Sequence, residues 1–222
     1  MYSNFEKKSP MRTILLSVLI LCLSITVRAQ TATIRLNPPT ADRGLSVMKA
    51  FALRASATSW DTTSLSLQDL SDLLWAAAGI NRPESGKRTY PSAMNSQDID
   101  VYVLLRQGAY LYDAPRHELR LIKEGDFRAY AADRQTEVAK APVICLLVSD
   151  ISRFKYGTDS TKLLTASIDA GIVSQNIALF CAGTGLATRP RASMNKQKLC
   201  EILQLKDTQH IILNNPVCRG QK

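Results

Sequence analysis

Lys87-Arg88-Thr89-Tyr90-Pro91-Ser92-Ala93-Met94-Asn95-Ser96-Gln97 is the stretch on which the reading of this chain turns. It lies between a helical pattern ending at Gly79 and an apolar run, residues 99–105, that reads as a buried strand. A polar loop directly before a core strand is where a rigid scaffold presents its chemistry. Its Ser, Asn and Gln side chains offer donors and acceptors at close spacing, which matches the edge of a flat heterocycle. A metal would call for His, Cys or carboxylates instead. A turn that merely caps the next element is the competing reading of the same residues.

Upstream of this loop, Ser66-Leu67-Gln68-Asp69 opens a helix with a side-chain cap and an early carboxylate. Leu67, Leu70, Leu73, Leu74 and Ala77 form its apolar face, Gly79 stops it, and Trp75 lies off the stripe, under the loop or at a partner surface. Earlier still, residues 34–43 contain Asn37-Pro38-Pro39 and read as an extended arm. A short helix follows from Ser46 to about Ala52, with Leu45, Met48, Ala52 and Leu53 as its stripe.

Downstream, residues 99–105 and 109–113 form a hairpin about Gln107-Gly108, and residues 119–122 follow a turn that holds His117, expected to be solvated. Residues 125–140 read as a charged helical cover, and residues 142–148 as a second core strand. Residues 151–161 make a polar loop that could lie over a pocket. Residues 167–182 are apolar on several faces, so that helix belongs in the core or a subunit interface. Gly183-Thr184-Gly185 follows a helix and does not open one, so it is a C-terminal cap and not a phosphate loop. Residues 209–217 are a terminal strand.

The chain has 222 residues, 45% hydrophobic and 21% charged, which is the composition of one globular domain. Its first segment reads differently. Lys7, Lys8 and Arg12 precede an apolar run over residues 14–27, then Val27-Arg28-Ala29, the pattern of a cleaved secretory signal. We therefore expect residues 1–29 to be a leader and residues 30–222 the domain, exported to a periplasm or the exterior without a stable membrane anchor. Losing four Lys/Arg and one Glu with the leader takes the formal charge from +9 to +6. This modest excess is spread along the chain without interleaved aromatics, which argues against nucleic acid. Cys145 and Cys181 sit in apolar runs and read as buried thiols, and no His/Cys spacing fits zinc.

Pro91-Ser92-Ala93-Met94-Asn95-Ser96-Gln97 resembles the Pro-Ser-Ser/Ala-x-Asn-x-Gln signature of the FMN-dependent nitroreductase family. Residues 70–83 resemble the helix and loop before that signature in a bacterial branch that also includes the peptide azoline dehydrogenases. Leu53-Arg54-Ala55-Ser56-Ala57-Thr58-Ser59-Trp60 is similar to the family's Arg-Arg-Ser-x-Arg-x-Phe, with Ala55 and Thr58 replacing two arginines and Trp60 the aromatic. Arg189-Pro190-Arg191-Ala192-Ser193 falls where relatives pass the flavin N5, with Ala192 in place of a glycine, tolerable only at negative φ. Cys218 also stands where relatives show a glycine.

The resemblance implies an α+β nitroreductase-like fold, a central antiparallel sheet sandwiched by helices, in a homodimer with FMN at two interface sites. It implies ping-pong electron transfer from NAD(P)H or another donor to a small acceptor such as a nitroaromatic or quinone. In this frame Arg54, Ser56 and Thr58 hold the phosphate end, while Ser92, Asn95 and Gln97 hold the ring or its partner-subunit edge. Arg191 and the Ala192 and Ser193 amides stabilise charge on the reduced ring, and Arg219 or Lys222 could supply a further phosphate contact. The thinned Arg54-to-Thr58 segment, in an exported chain, keeps as the alternative a non-catalytic flavin-binding or structural dimer with a degenerate site.

Overall fold

The structure, a computed structural model, describes residues 33–220; the expected leader and Lys222 lie outside the described residues. In chain order the elements begin with β1 (Thr33–Arg35), α1 (Val47–Leu53) and α2 (Leu67–Ala78). A small hairpin of β2 (Ile80–Arg82) and β3 (Lys87–Arg88) follows, then β4 (Ile99–Leu105), β5 (Gly108–Asp113) and β6 (Glu118–Glu124). The remainder is α3 (Arg128–Ala132), β7 (Val143–Asp150), α4 (Asp159–Thr184), β8 (Leu186–Thr188), α5 (Lys196–Leu203) and β9 (Gln209–Arg219). Seven strands form one sheet in the order β1-β6-β5-β4-β7-β9-β8, and every pairing is antiparallel.

The two-residue period of β4 sets the layers. Ile99, Val101, Val103 and Leu105 join Leu70, Leu73 and Leu74 of α2 and Ala170, Val173 and Ile177 of α4 in one core. Tyr102 and Leu104 point the other way, to Ala131 and Ala132 of α3, Val138 and Leu199 of α5. Burial of each such Leu, Ile or Val contributes about 1.5–3 kcal/mol, so both helical layers are fastened by the same strands. The α+β sandwich expected from the chain is the observed fold.

Local signals held where they were self-contained. Ser66 caps α2 in a reciprocal capping box with Asp69, and Gly185, at φ 77°, caps α4. Gly79 sits at φ −70°, so its role is spatial: a Cβ there would collide with the Trp75 ring. Ala192 is not among the residues at positive φ, which satisfies the condition placed on it.

Four expectations change. The N-terminal arm begins as the edge strand β1, with Ile34 registered on Leu119. His117 is not solvated: its Nδ1 lies 2.8 Å from the Tyr112 hydroxyl and its Nε2 2.9 Å from Asn37 O, and burial lowers its pKa. Residues 125–140 are no continuous surface helix, because α3 stops at Asp133 (φ 53°) and Ala131, Ala132 and Val138 are fully buried. The long helix starts eight residues before the expected Ser167, at Asp159, because Thr158 caps it there. By length and hydropathy α4 could cross a membrane, but its Ala166, Ala170, Val173 and Ile177 are fully buried.

Candidate functional site

After α1 the chain runs extended beside β8. Ser56 makes a parallel bridge to Thr188, and the Ala57 N–H donates to Thr188 O at 2.9 Å. This pairing opens a cleft of about 240 Å³ walled by Ala55, Ser56, Thr58 and Ser59, by Ala178 and Ala182 of α4, and by Arg219 and Gly220. Small side chains leave the room. The Ser56 and Thr58 hydroxyls have no intramolecular partner among the described residues. Arg219, half exposed, is tethered only loosely, 3.9 Å from Asp69. Hydroxyls, backbone N–H groups and a guanidinium are an anion-binding set. Arg54 is exposed at the end of α1, just outside this lining. The sequence could not place Arg219; β9 carries it past Val217 because residues 217–219 pair with β8.

From the cleft, the chain continues through Arg189 to Ala192 and Ser193. Arg191 does not face open space: only 7% exposed, it is consumed by the protein. Its Nη1 donates to Ala131 O (2.7 Å) and Asn214 Oδ1 (3.0 Å), its Nη2 to Ala132 O (2.9 Å) and its Nε to Gln135 Oε1 (3.1 Å). The guanidinium thus satisfies the terminal carbonyls of α3. Backbone bonds between Arg191 and Asn214 in both directions, and Asn214 Nδ2 donating to Ser193 O, fix the segment further. The result leaves the Ala192 and Ser193 N–H groups without an intramolecular acceptor among the described residues. Ala192 borders a groove of about 630 Å³ between Leu163 and Ser167 of α4, Lys196 and Cys200 of α5, and residues 209–213.

Asn214 was missed in the sequence. Its signal was present: Asn214-Asn215 interrupts the apolar run of a strand, and both are fully buried. A buried amide must be partnered, so two in a core strand mark a polar junction.

The 92–97 loop is built from within. The Gln97 N–H donates to Ser92 Oγ at 2.8 Å, Arg88 Nε to Gln97 Oε1 at 3.0 Å, and Gln97 Nε2 to Gly86 O at 3.2 Å. Met94, Asn95 and Gln97 all have positive φ (54°, 54° and 47°), an uncommon state for side chains of this size. Asn95 is exposed, with its Oδ1 accepting from Gln97 Nε2 at 3.5 Å.

Within one copy these parts do not meet. The loop precedes Ile99, whose register leads through Ser149 to His210, whereas the cleft lies by Thr188, whose register leads through Val217 to Val143. Those are opposite ends of the sheet, roughly 20 Å apart at about 3.3 Å per strand residue. Ser56, Thr58 and Arg219 share one end with Arg54 beside them; Ser92, Asn95 and Gln97 occupy the other; Ala192 and Ser193 lie between.

The chain is thus an α+β protein, an antiparallel sheet between two helical layers, with a cleft lined by hydroxyls and a guanidinium near one end of the sheet and two unclaimed amides further along. The nitroreductase family model matches residues 53–217, and the chain belongs to the nitroreductase family, which makes it an oxidoreductase by kinship. A solved nitroreductase-type structure from Ralstonia eutropha JMP134 is 33% identical, covers 86% of this chain and 90% of its own, and superposes with a TM-score of 0.80. A protein of Methanocaldococcus jannaschii assigned as a nitroreductase is 29% identical over 163 residues, 69% of this chain and 82% of that one. A Staphylococcus epidermidis structure described as an NAD(P)H:FMN oxidoreductase shares the fold alone, at 10% identity and a TM-score of 0.62 over 83% of this chain and 92% of its own.

Proposed function

We propose that the protein binds FMN in a site completed by a second copy, and passes electrons from NAD(P)H or another donor to a small acceptor such as a nitroaromatic or quinone. The observation that carries this is the run of residues 187–193: Ala187 and Thr188 line the anion cleft, and Ala192 and Ser193 present two unclaimed N–H groups. The residues fit the cofactor. Ser56, Thr58 and Arg219 would hold the phosphate, with Arg54 at the mouth. Bound FMN supplies the two-electron chemistry, and the protein's part is position and electrostatics. The Ala192 and Ser193 amides are donors fixed in place beforehand, ready for charge that develops on a ring. Arg191 acts one step back, locking those amides.

The second copy supplies the ring-side loop. Helix α1 exposes Val47, Met48, Phe51 and Leu53, with Met48 72% exposed, and is tied to the C-terminal end of α4 where the Leu45 N–H donates to Gly183 O. Leu164 and Ile168 are exposed near the other end of α4, and a Cβ at the mid-helix Gly171 would meet nothing within 4 Å. Apolar exposure of this extent marks an interface. Two α4 helices crossing antiparallel near Gly171 would cover both patches and carry the 92–97 loop of one copy toward the cleft of the other.

The test is spectroscopic. FMN fluorescence should quench on titration with the purified protein, and Arg219→Ala should weaken binding about tenfold or more, the worth of one charge-assisted contact. The bound flavin should bleach anaerobically with NADH and recolour with a nitroaromatic or quinone. Absence of flavin binding by wild type would refute the proposal. Flavin that binds but never bleaches would favour a non-catalytic dimer, a reading supported by Ala55 and Thr58, which bring no cation to the cleft. Export with cleavage after Ala29 is part of the proposal, and the mass of the mature protein would test it.

A further inference from the structure

A further cavity, of about 450 Å³, shares no lining residue with the anion cleft or with the groove beside Ala192. It lies where β4 turns into β5, where β7 begins and where α2 starts. Leu105 of β4 stands three strands from β8 in the sheet, about 14 Å across at about 4.8 Å per strand. The floor is apolar: Leu70, Leu105, Pro142 and Val143 are buried there, with Ile34 and Leu65 half-buried at the sides. Leu67, at the first turn of α2, faces the same space and is still 43% exposed. Apolar surface left open to water is surface that a ligand covers with a gain in free energy.

The rim has the opposite chemistry. Arg106, Arg128 and Lys140 line the cavity and no carboxylate does. Arg128 is committed: its Nε and Nη2 donate to the two Asp126 oxygens at 2.9 and 2.6 Å, and its Nη1 to Ala141 O at 2.9 Å. That last bond fixes the residue before Pro142, and with it the cavity wall. Arg106 and Lys140 are exposed, and their side chains make no hydrogen bond or ion pair among the described residues; Arg106 feels Asp126 only at a distance, through charge. The Thr62 and Ser64 hydroxyls on the same lining are also without an intramolecular partner among the described residues.

Free cations and hydroxyls above an apolar floor complement an anionic head on an apolar body, and pockets of roughly 300–1,000 Å³ take small molecules. No aromatic ring lines the wall, which suits an alkyl chain better than a planar one. The end of α2 is no phosphate cradle, because Ser66 already caps it and the Asp69 carboxylate occupies its first turn. We propose that this cavity binds a fatty acid, its chain against Leu67, Leu70 and Leu105 and its carboxylate met by Arg106 and Lys140. The site is separate from the flavin reading and does not rest on it.

The test is isothermal titration of the full chain with sodium decanoate below its micelle concentration. Saturable binding of one decanoate per chain is expected. Decanol, which lacks the charge, and acetate, which lacks the chain, should each bind at least about tenfold more weakly. Arg106→Gln and Lys140→Gln should each weaken decanoate about tenfold, and Leu67→Asp should weaken it further, all with unchanged Tm because the three positions are exposed. Arg219→Ala, in the anion cleft, should leave decanoate affinity as it is. A loss there equal to that in Lys140→Gln would move the acid to that cleft and overturn the proposal. So would an absence of saturable binding, decanol bound as well as decanoate, or decyl phosphate bound more tightly than decanoate. FMN binding can fail with decanoate binding intact, and the reverse, so the two readings stand or fall separately.

Discussion

Replacing Arg191 by methionine keeps the volume of the side chain and removes four hydrogen bonds. Three acceptors, Ala131 O, Ala132 O and Asn214 Oδ1, would be left buried, while Gln135 is exposed and can turn to water. A buried acceptor left unpaired costs about 1–3 kcal/mol, so the gross loss is roughly 3–9 kcal/mol. Part returns because the variant no longer buries a charge, which here lowers the Arg191 pKa by burial first and by Arg189 next. A net loss of about 3 kcal/mol is expected, and for a domain of this size about 6–12 °C in Tm. Arg191→Lys should recover little, because an ammonium cannot span the fork between α3 and β9. Urea unfolding followed by circular dichroism, with an unchanged m-value, is the assay. A loss below about 0.5 kcal/mol, coupled to weaker FMN binding, would mean that the guanidinium faces the ligand and that the pinning described above is wrong.

Met48→Glu with Phe51→Glu should shift the protein toward monomer in sedimentation analysis and weaken FMN binding together; a dimer that survives both would place the interface elsewhere. Native thiol labelling should proceed only at Cys200 among the four thiols from Cys145 on. Burial pushes the Cys145 thiol up to about 12 and raises those of Cys181 and Cys218, while Cys200 is only half-buried; rapid reaction of all four would contradict the packing. Asp98, raised from about 3.8 to about 6, favours the folded state below pH 4 and loses that contribution as pH rises through 6. At about 1.4 kcal/mol per unit the loss is about 3 kcal/mol, so Asp98→Asn should be the more stable protein at pH 8 in denaturant melts. Gly79→Ala should lower Tm through the clash with Trp75, and an unchanged Tm would show that the turn relaxes freely.

Much of this protein was readable in one dimension because its signals are short-range. The Ser66 box, the Gly185 cap and the apolar run of residues 99–105 each depend on neighbours within a few positions, so the sequence alone placed the α2 helix, the end of α4 and the core strand β4. The polar character of the 92–97 loop was equally plain, as was the likeness of the segments about Arg54, Asn95 and Arg191 to one family. Pairings between distant residues were not legible. Nothing in residues 125–140 tells that the α3 carbonyls are closed by a guanidinium about 60 positions on, so Arg191 read as a ligand contact when it is a clamp. Arg219 gained a place only when β8 claimed the last residues of β9, and the Ala93 N–H met Asp169 only when α4 packed beneath the loop. Period and capping are written locally, but the partner of a buried charge is chosen by whichever element the fold brings beside it.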